Sequence, residues 1–159
     1  MPAIDTPLLI VGHGPSALVA AKVLSARGIP SVVAGHVPVD DGTPVVLDAT
    51  ALAILEPNGV LGVLRPYAGT QDPFTIAPLA FEHALKHHCV ADMLITVFDG
   101  MTLAGPVEGE GPSTGVLTDG RSRWEVRADA VLDTATLPTG LNAAIRAGAE
   151  AAAALAAPA

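Results

Sequence analysis

The feature that most constrains this chain is a glycine-rich turn near its N-terminus, between a buried strand and an apolar helix. The aliphatic run at 7–11 ends just before the turn and suits a strand buried on both faces of a parallel sheet. A helical pattern with small alanines follows at 16–27 and stops at Gly28. A second aliphatic run lies at 31–34. This order predicts a βαβ unit with a right-handed crossover.

The turn itself has the spacing G-x-G-x-x-A, formed by Gly12, Gly14 and Ala17. The first glycine permits the tight turn, the second lets a pyrophosphate approach the backbone, and the small third residue allows close helix–strand packing. The helix start at Pro15 and Ser16 favours an anion, because backbone N–H groups and the helix dipole point there. We therefore predict a dinucleotide phosphate site. A turn that is glycine-rich only for packing is the alternative.

The rest of the chain continues the α/β pattern. Its predicted elements are helices over 48–55, 75–88 and from 141 onwards, and strands over 94–98 and 130–132. The segments 116–118 and 124–126 flank Asp119-Gly120 and predict a hairpin. We find no repeat and no linker long enough to separate domains, so we expect a single domain over residues 1–159.

Composition and charge limit the partners of the chain. Hydrophobic residues make up 50% and aromatic residues only 3%, so the apolar mass is Ala, Val and Leu, as in helices packed closely on a sheet. A net charge of −8 argues against nucleic acid or an anionic membrane as the main partner. One cysteine excludes an internal disulfide and a Cys-rich zinc site. With no basic leader and no apolar run long enough to span a bilayer, we expect a cytoplasmic protein.

Several segments resemble FAD-dependent oxidoreductases, especially flavoprotein monooxygenases of the aromatic-hydroxylase type. Residues 10–35 resemble their N-terminal dinucleotide-binding unit, and 45–67 the segment after the second strand. Residues 75–88 resemble the helix before the β-meander, 115–133 the closing hairpin and strand, and 137–145 the glycine-headed last helix. The resemblance implies a three-layer, Rossmann-like FAD/NAD(P)-binding α/β domain with a parallel sheet and a small antiparallel β-meander. The family's substrate domain has no counterpart here.

The resemblance also implies which residues hold the cofactor. The expected FAD contacts are Gly12, Gly14, Pro15, Ser16 and Ala17 at the pyrophosphate, Gly35 and His36 near the adenosine ribose, Asp133 at the ribityl chain, and Gly140, Leu141 and Asn142 at the flavin. The positive end of the last helix would stabilise the reduced, anionic flavin. His13, inside the glycine turn, is the candidate catalytic proton donor. A side chain that simply points to solvent is the alternative.

Two positions depart from the family's pattern. Gly35 and His36 stand where an acid normally binds the adenosine ribose, although Asp40 and Asp41 on the next loop are near in sequence. Ala77-Pro78 replaces an arginine that the family tends to carry at the start of the helix before the meander. FAD remains the expected cofactor, with these two contacts missing.

Histidines in the predicted helix over 75–88 raise the question of a metal site. His83 and His87 are four residues apart and share one face, with His88, Cys89 and Asp92 nearby in sequence. No second ligand cluster has metal-site spacing, so we interpret the pair as a solvated helix face and expect no metal. We interpret Cys89 as a small core residue.

The function predicted from the sequence is that of a minimal flavoprotein. It would be an FAD-binding oxidoreductase, or a subunit of one, whose site for a small-molecule substrate is completed by a partner protein or by a homo-oligomer. The main alternative is a non-redox relic of the fold, acting as a cofactor-free enzyme or as an assembly subunit of a larger flavoenzyme. A module that binds NAD is a third possibility.

Overall fold

The structure, a computed structural model, describes residues 2–12, 14–35, 42–104 and 113–157. The strands are β1 (Ala3–Val11), β2 (Ser31–Ala34), β3 (Val45–Val46), β4 (Thr70–Gln71), β5 (Phe74–Ile76), β6 (Ile95–Phe98), β7 (Thr102–Leu103), β8 (Ser113–Thr118) and β9 (Arg123–Asp133). The helices are α1 (Pro15–Ala26), α2 (Ala49–Leu55), α3 (Leu61–Leu64), α4 (Pro78–Val90) and α5 (Leu141–Ala156), with a 3-10 turn at Arg65–Tyr67.

The main sheet has the strand order β6-β2-β1-β9-β8-β7. The first four of these strands are parallel, and β8 and β7 complete the sheet in antiparallel pairings. Val11, at the end of β1, lies opposite Ala34 of β2 and Asp133 of β9. The carboxyl ends of these three strands therefore meet at one edge, where ligands bind in open α/β sheets.

Helices cover one face of this sheet. The buried cluster on that side joins Ile10 of β1 to Leu18 of α1, Phe81 of α4 and Ile145 of α5, all of which are inaccessible to solvent. The alanines of α1 and α5 keep side chains short where the two helices meet. Small residues thus let α1 and α5 approach closely, as the composition indicated.

The antiparallel end of the sheet covers the opposite face. Phe98 of β6 and Trp124 of β9 have ring centroids 5.3 Å apart, although β2 and β1 lie between their strands. In a flat sheet, three strand spacings amount to about 14 Å. The short ring distance, together with the packing of Leu117 and Val126 against Leu9, indicates that the beginning of β9 and its partner β8 fold over this face. The result is three layers: meander, parallel strands and helices.

A second, antiparallel sheet has the order β3-β5-β4 and was not predicted from the sequence. The helix expected over 75–88 begins only at Pro78, because Phe74 and Ile76 alternate as buried residues of β5. The strand expected at 130–132 is the last part of β9, which runs on without a break from the predicted hairpin. In the described part of the chain, no helix has the length and apolarity required to cross a membrane.

Candidate nucleotide-binding site

Backbone hydrogen bonds join the strand ends at the carboxyl edge of the main sheet. The Gly12 N–H donates to the carbonyl of Ala34 at 3.2 Å, and the Thr134 N–H donates to the carbonyl of Val11 at 2.7 Å. The Gly35 N–H donates to the carbonyl of Met101 at 2.8 Å. Backbone hydrogen bonds therefore connect the end of β1 and the glycine turn to the ends of β2 and β9.

Gly12 is a glycine for a packing reason. Its φ is +131°, and a Cβ there would overlap the hydroxyl of Thr134. Thr134 is buried, and its Oγ1 donates to the carbonyl of Val11 at 3.1 Å. The neighbouring loop thus excludes any side chain at position 12. The proposed contact of Gly12 with a phosphate stays a prediction.

Gly14 differs, because open space lies beside it. Its φ is +95°, and a Cβ would meet no atom of the described residues within 4 Å, although Gly14 itself is buried. It is the N-cap of α1, which has no side-chain capping bond and no acidic residue in its first turn. The first N–H groups of α1 thus have no acceptor from a cap side chain. This is the arrangement that an anion at the helix start requires.

The first residues of α1 are packed rather than exposed. Pro15 occupies the first helical position, where a missing N–H costs nothing, and Ala17 is fully buried. Ser16 is buried beneath Gly148 of α5, where a Cβ would overlap the Ser16 carbonyl. Close packing against α5 therefore fixes the position of the α1 start.

Gly35 lies at the end of β2 against the glycine turn. Its φ is +76°, a conformation that side chains rarely adopt, and a Cβ would lie 3.5 Å from the Gly12 nitrogen. The backbone thus explains why this position carries no carboxylate. His36, Asp40 and Asp41 lie outside the described residues, and so does His13, the proposed proton donor.

Asp133 reaches the same edge at the end of β9. It is exposed, and its Oδ1 accepts a hydrogen bond from the Ala135 N–H at 2.9 Å. The carboxylate therefore shapes the turn that leads to Thr134. Its place opposite Val11 puts Asp133 at the carboxyl edge of the sheet, and the contact with a ribityl chain that the resemblance implies stays a prediction.

The start of α5 is held by side-chain bonds, and the sequence analysis singled out only one of the side chains involved, that of Asn142. Gly140 is its N-cap, without a side-chain capping bond, and Leu141 is buried. The Asn142 side chain accepts from the Asp48 N–H at 3.0 Å and donates to the Val46 carbonyl at 2.9 Å. The amide of Asn142 is thus occupied by structural bonds, and only its backbone is left for the proposed flavin contact.

Asp48 links the start of α2 to α5. Its Oδ1 caps α2 by accepting from the Ala51 N–H at 2.8 Å, and its Oδ2 lies 2.6 Å from the Arg146 guanidinium. The Ala51 N–H, and then Arg146, hold the pKa of Asp48 below its ordinary value. The capping role of Asp48 could have been predicted from the sequence, because an aspartate just before a helix is a common N-cap. The contact with Arg146 could not, because Arg146 lies 98 positions away and no local pattern marks it.

The remaining candidates lie on and near α4, and most are structural. Cys89 is fully buried, and burial raises the pKa of its thiol to about 12, which makes it unreactive. Burial first, and then the charge of Lys22, lower the pKa of half-buried His88. His83 and His87 lie on the exposed side of α4. Across the described residues, no group of three or more His, Cys, Asp or Glu side chains is placed to hold a metal.

Comparisons with known proteins identify the fold. No family model and no curated protein matches the sequence. The solved flavin-dependent monooxygenase PieE, in complex with FAD and substrate, matches with a TM-score of 0.64 and 19% identity, over 82% of this chain and 30% of that one. The chain shares the fold of the matching part of this flavin-dependent monooxygenase. The resemblance and the Rossmann-like α/β class predicted from the sequence are thereby confirmed.

Two further monooxygenase structures agree. The p-nitrophenol 4-monooxygenase PnpA from Pseudomonas putida DLL-E4 has a TM-score of 0.63 and 18% identity, over 84% of this chain and 41% of that one. The OxyS anhydrotetracycline hydroxylase from Streptomyces rimosus has a TM-score of 0.65 and 16% identity, over 82% and 31%. The chain thus spans well under half the length of these enzymes.

Proposed function

We propose that this chain is the FAD-binding part of a flavoprotein oxidoreductase of the monooxygenase type. The observation that carries the proposal is the open space beside Gly14, at the uncapped start of α1. That space adjoins the edge where β1, β2 and β9 end. A buried glycine with a left-handed φ and room for a ligand is what close approach of a pyrophosphate to the backbone requires.

The residues present at this edge fit a dinucleotide in part. Gly14 and the first backbone N–H groups of α1 would receive the pyrophosphate, and Asp133 and the backbone at the start of α5 would face the ribityl chain and the flavin. Gly35 brings no carboxylate to the adenosine ribose, so binding at that end relies on other groups. Bound FAD would supply the electron transfer of an oxidoreductase. The role of this chain is to hold and orient it.

The substrate site is proposed to be completed by a partner chain or by a second copy of this one. What supports this is that Asp133, at the carboxyl edge, is exposed and thus accessible to another chain. The matches extend over 82–84% of this chain. We expect the small-molecule substrate to bind where another chain meets the carboxyl edge.

The absorbance spectrum of the purified chain tests flavin binding directly. We expect visible flavin bands, or their protein-bound form after FAD is added, at one FAD per chain. Gly14→Val fills the space beside the turn and should weaken FAD binding at least about tenfold. Gly120→Val is the matched control, because Gly120 also has a positive φ, +89°, and open space around it but lies in the β8–β9 hairpin. A colourless chain that takes up no FAD overturns the proposal.

One observation favours the second candidate, a relic of the fold that assembles with a larger flavoenzyme. Gly35 has a left-handed φ, and Ala77, the N-cap of α4, offers no polar side-chain group, so two cofactor contacts that the resemblance implies are missing. Co-purification of a larger flavoprotein, with no flavin on this chain, would support it. Preferential binding of NAD over FAD would instead indicate a nicotinamide-nucleotide module.

A further inference from the structure

Two imidazoles project from successive turns of α4. The ring centroids of His83 and His87 are 4.5 Å apart, and the planes meet at 64°. Tyr67 lies edge-on to His83, with centroids 6.0 Å apart. Both histidines are exposed, and within the described ranges neither takes part in a hydrogen bond or an ion pair. Their ring nitrogens are therefore available to an external ligand.

The spacing of the rings matches that of two ligands on one metal ion. A metal about 2.1 Å from one nitrogen of each ring, with an N–metal–N angle of about 90–110°, puts the ring centroids about 4.6–5.2 Å apart. The observed 4.5 Å is close to this range, and because both side chains are exposed they can rotate to turn one nitrogen of each ring toward a shared ion. Histidines four residues apart on a helix are also the spacing that metal-binding helices use.

We propose that His83 and His87 form a bidentate site for a divalent transition-metal ion, with copper(II) bound more tightly than nickel(II) or zinc(II). Imidazole nitrogen suits all three ions, and copper(II) stands highest in their general order of affinity. Water would fill the remaining coordination positions. The site uses no residue of the glycine turn and does not depend on flavin binding.

The surroundings of the pair leave room for those waters. His87 borders a groove of about 460 Å³ whose other lining residues are Lys86, Val90, Val97 and Asp99. The Lys86 ammonium, which would otherwise repel a cation, lies 2.5 Å from the Asp99 carboxylate. This ion pair offsets the positive charge next to His87.

Titration of the untagged full chain with copper(II), nickel(II) and zinc(II) by calorimetry tests the site. We expect one copper(II) per chain, bound more tightly than the other two ions. His83→Gln and His87→Gln should each weaken copper binding at least about tenfold, since even the partners of metal ligands contribute that much. Both positions are exposed, so the far-ultraviolet circular dichroism should not change.

A relocated histidine separates chelation from histidine content. The double variant His87→Gln/Val90→His keeps five histidines, but its two helix-face rings lie two turns apart. It should bind copper as weakly as His87→Gln. The proposal is overturned if the parent binds no copper, if either single variant binds as tightly as the parent, or if the relocated histidine restores affinity.

Discussion

Helices α1 and α5 both begin at a glycine without a side-chain cap, but they are held in different ways. Gly14 is buried in a left-handed turn beside the strand ends, whereas Gly140 is exposed with a φ of −61°. The start of α1 is positioned by its own turn and by packing. The start of α5 is positioned by Asn142 and Arg146, which bind around Asp48. Adding a side chain at the start of α1 should therefore lower the stability of the fold strongly. Removing a side chain at the start of α5 should lower it only slightly.

The largest loss in the free energy of unfolding is expected from a substitution in the glycine turn. In Gly12→Ala the new methyl group overlaps the Thr134 hydroxyl and the φ of +131° becomes strained. We expect a loss of about 3 kcal/mol in the free energy of unfolding, measured by urea denaturation. Thr134→Ala in the same chain should recover part of that loss, because the closest atom is gone. A Gly12→Ala chain as stable as the parent would contradict the packing explanation.

The far end of α1 should be the next most sensitive region. The Lys22 ammonium, which is almost buried, and the Ser25 hydroxyl bond to the Asp92 carboxylate at 2.9 and 2.7 Å. Asp92→Asn removes the charge that faces Lys22 and should cost about 2 kcal/mol in urea denaturation near neutral pH. A loss no larger than that of Asp129→Asn, an exposed aspartate of β9, would show that the ion pair contributes little.

The effect of Asp92→Asn should depend on pH. Burial alone would raise the pKa of Asp92, but the bonds from Ser25 and Lys22 outweigh it and lower the pKa from 3.8 to about 2. A lowered pKa stabilises the folded chain above 3.8 and loses that contribution as the pH falls toward 2. The stability difference between parent and variant should therefore shrink over that interval, as measured by denaturation at a series of pH values.

A smaller loss of stability is expected from a substitution where α1 and α5 cross. A Cβ in Gly148→Ala would overlap the Ser16 carbonyl, so the helices must separate, at a cost of about 1–2 kcal/mol in thermal or urea unfolding. Gly62→Ala is the control, since Gly62 is also helical but has no atom within 4 Å of its Cβ position. It should be neutral or stabilising. Equal effects at the two glycines would show that the crossing is not tightly packed.

The smallest effect is expected at the start of α5. Asn142→Ala removes two hydrogen bonds, to Asp48 and Val46, at a position that is only half-buried. We expect a loss of about 1 kcal/mol in urea unfolding. If FAD binds as proposed, its affinity should change less than in Gly14→Val, because the side chain of Asn142 is used structurally. A larger loss of FAD affinity in Asn142→Ala would reverse the ranking of the two helix starts.

The features that were predicted correctly are those that depend on residues adjacent in the sequence. The first βαβ unit follows from an aliphatic run, a glycine turn and a small-residue helix that are consecutive in the chain. Asp133 was singled out from a family resemblance, and its place opposite Val11 comes from the register of β9 against β1. The second sheet was missed, because β3 has two residues and β4 another two, too short for any periodicity. The Asp48–Arg146 contact was missed because nothing local marks it.

The sequence by itself determined the fold class and the glycine turn, since backbone conformation and burial there depend on consecutive residues. Only the tertiary structure decided why each glycine is needed: Gly12 because Thr134 lies against it, and Gly14 because its φ is +95°. It also decided that the ring centroids of His83 and His87 lie 4.5 Å apart. Such contacts depend on how separate elements and side chains meet in space, which spacing along the chain does not specify.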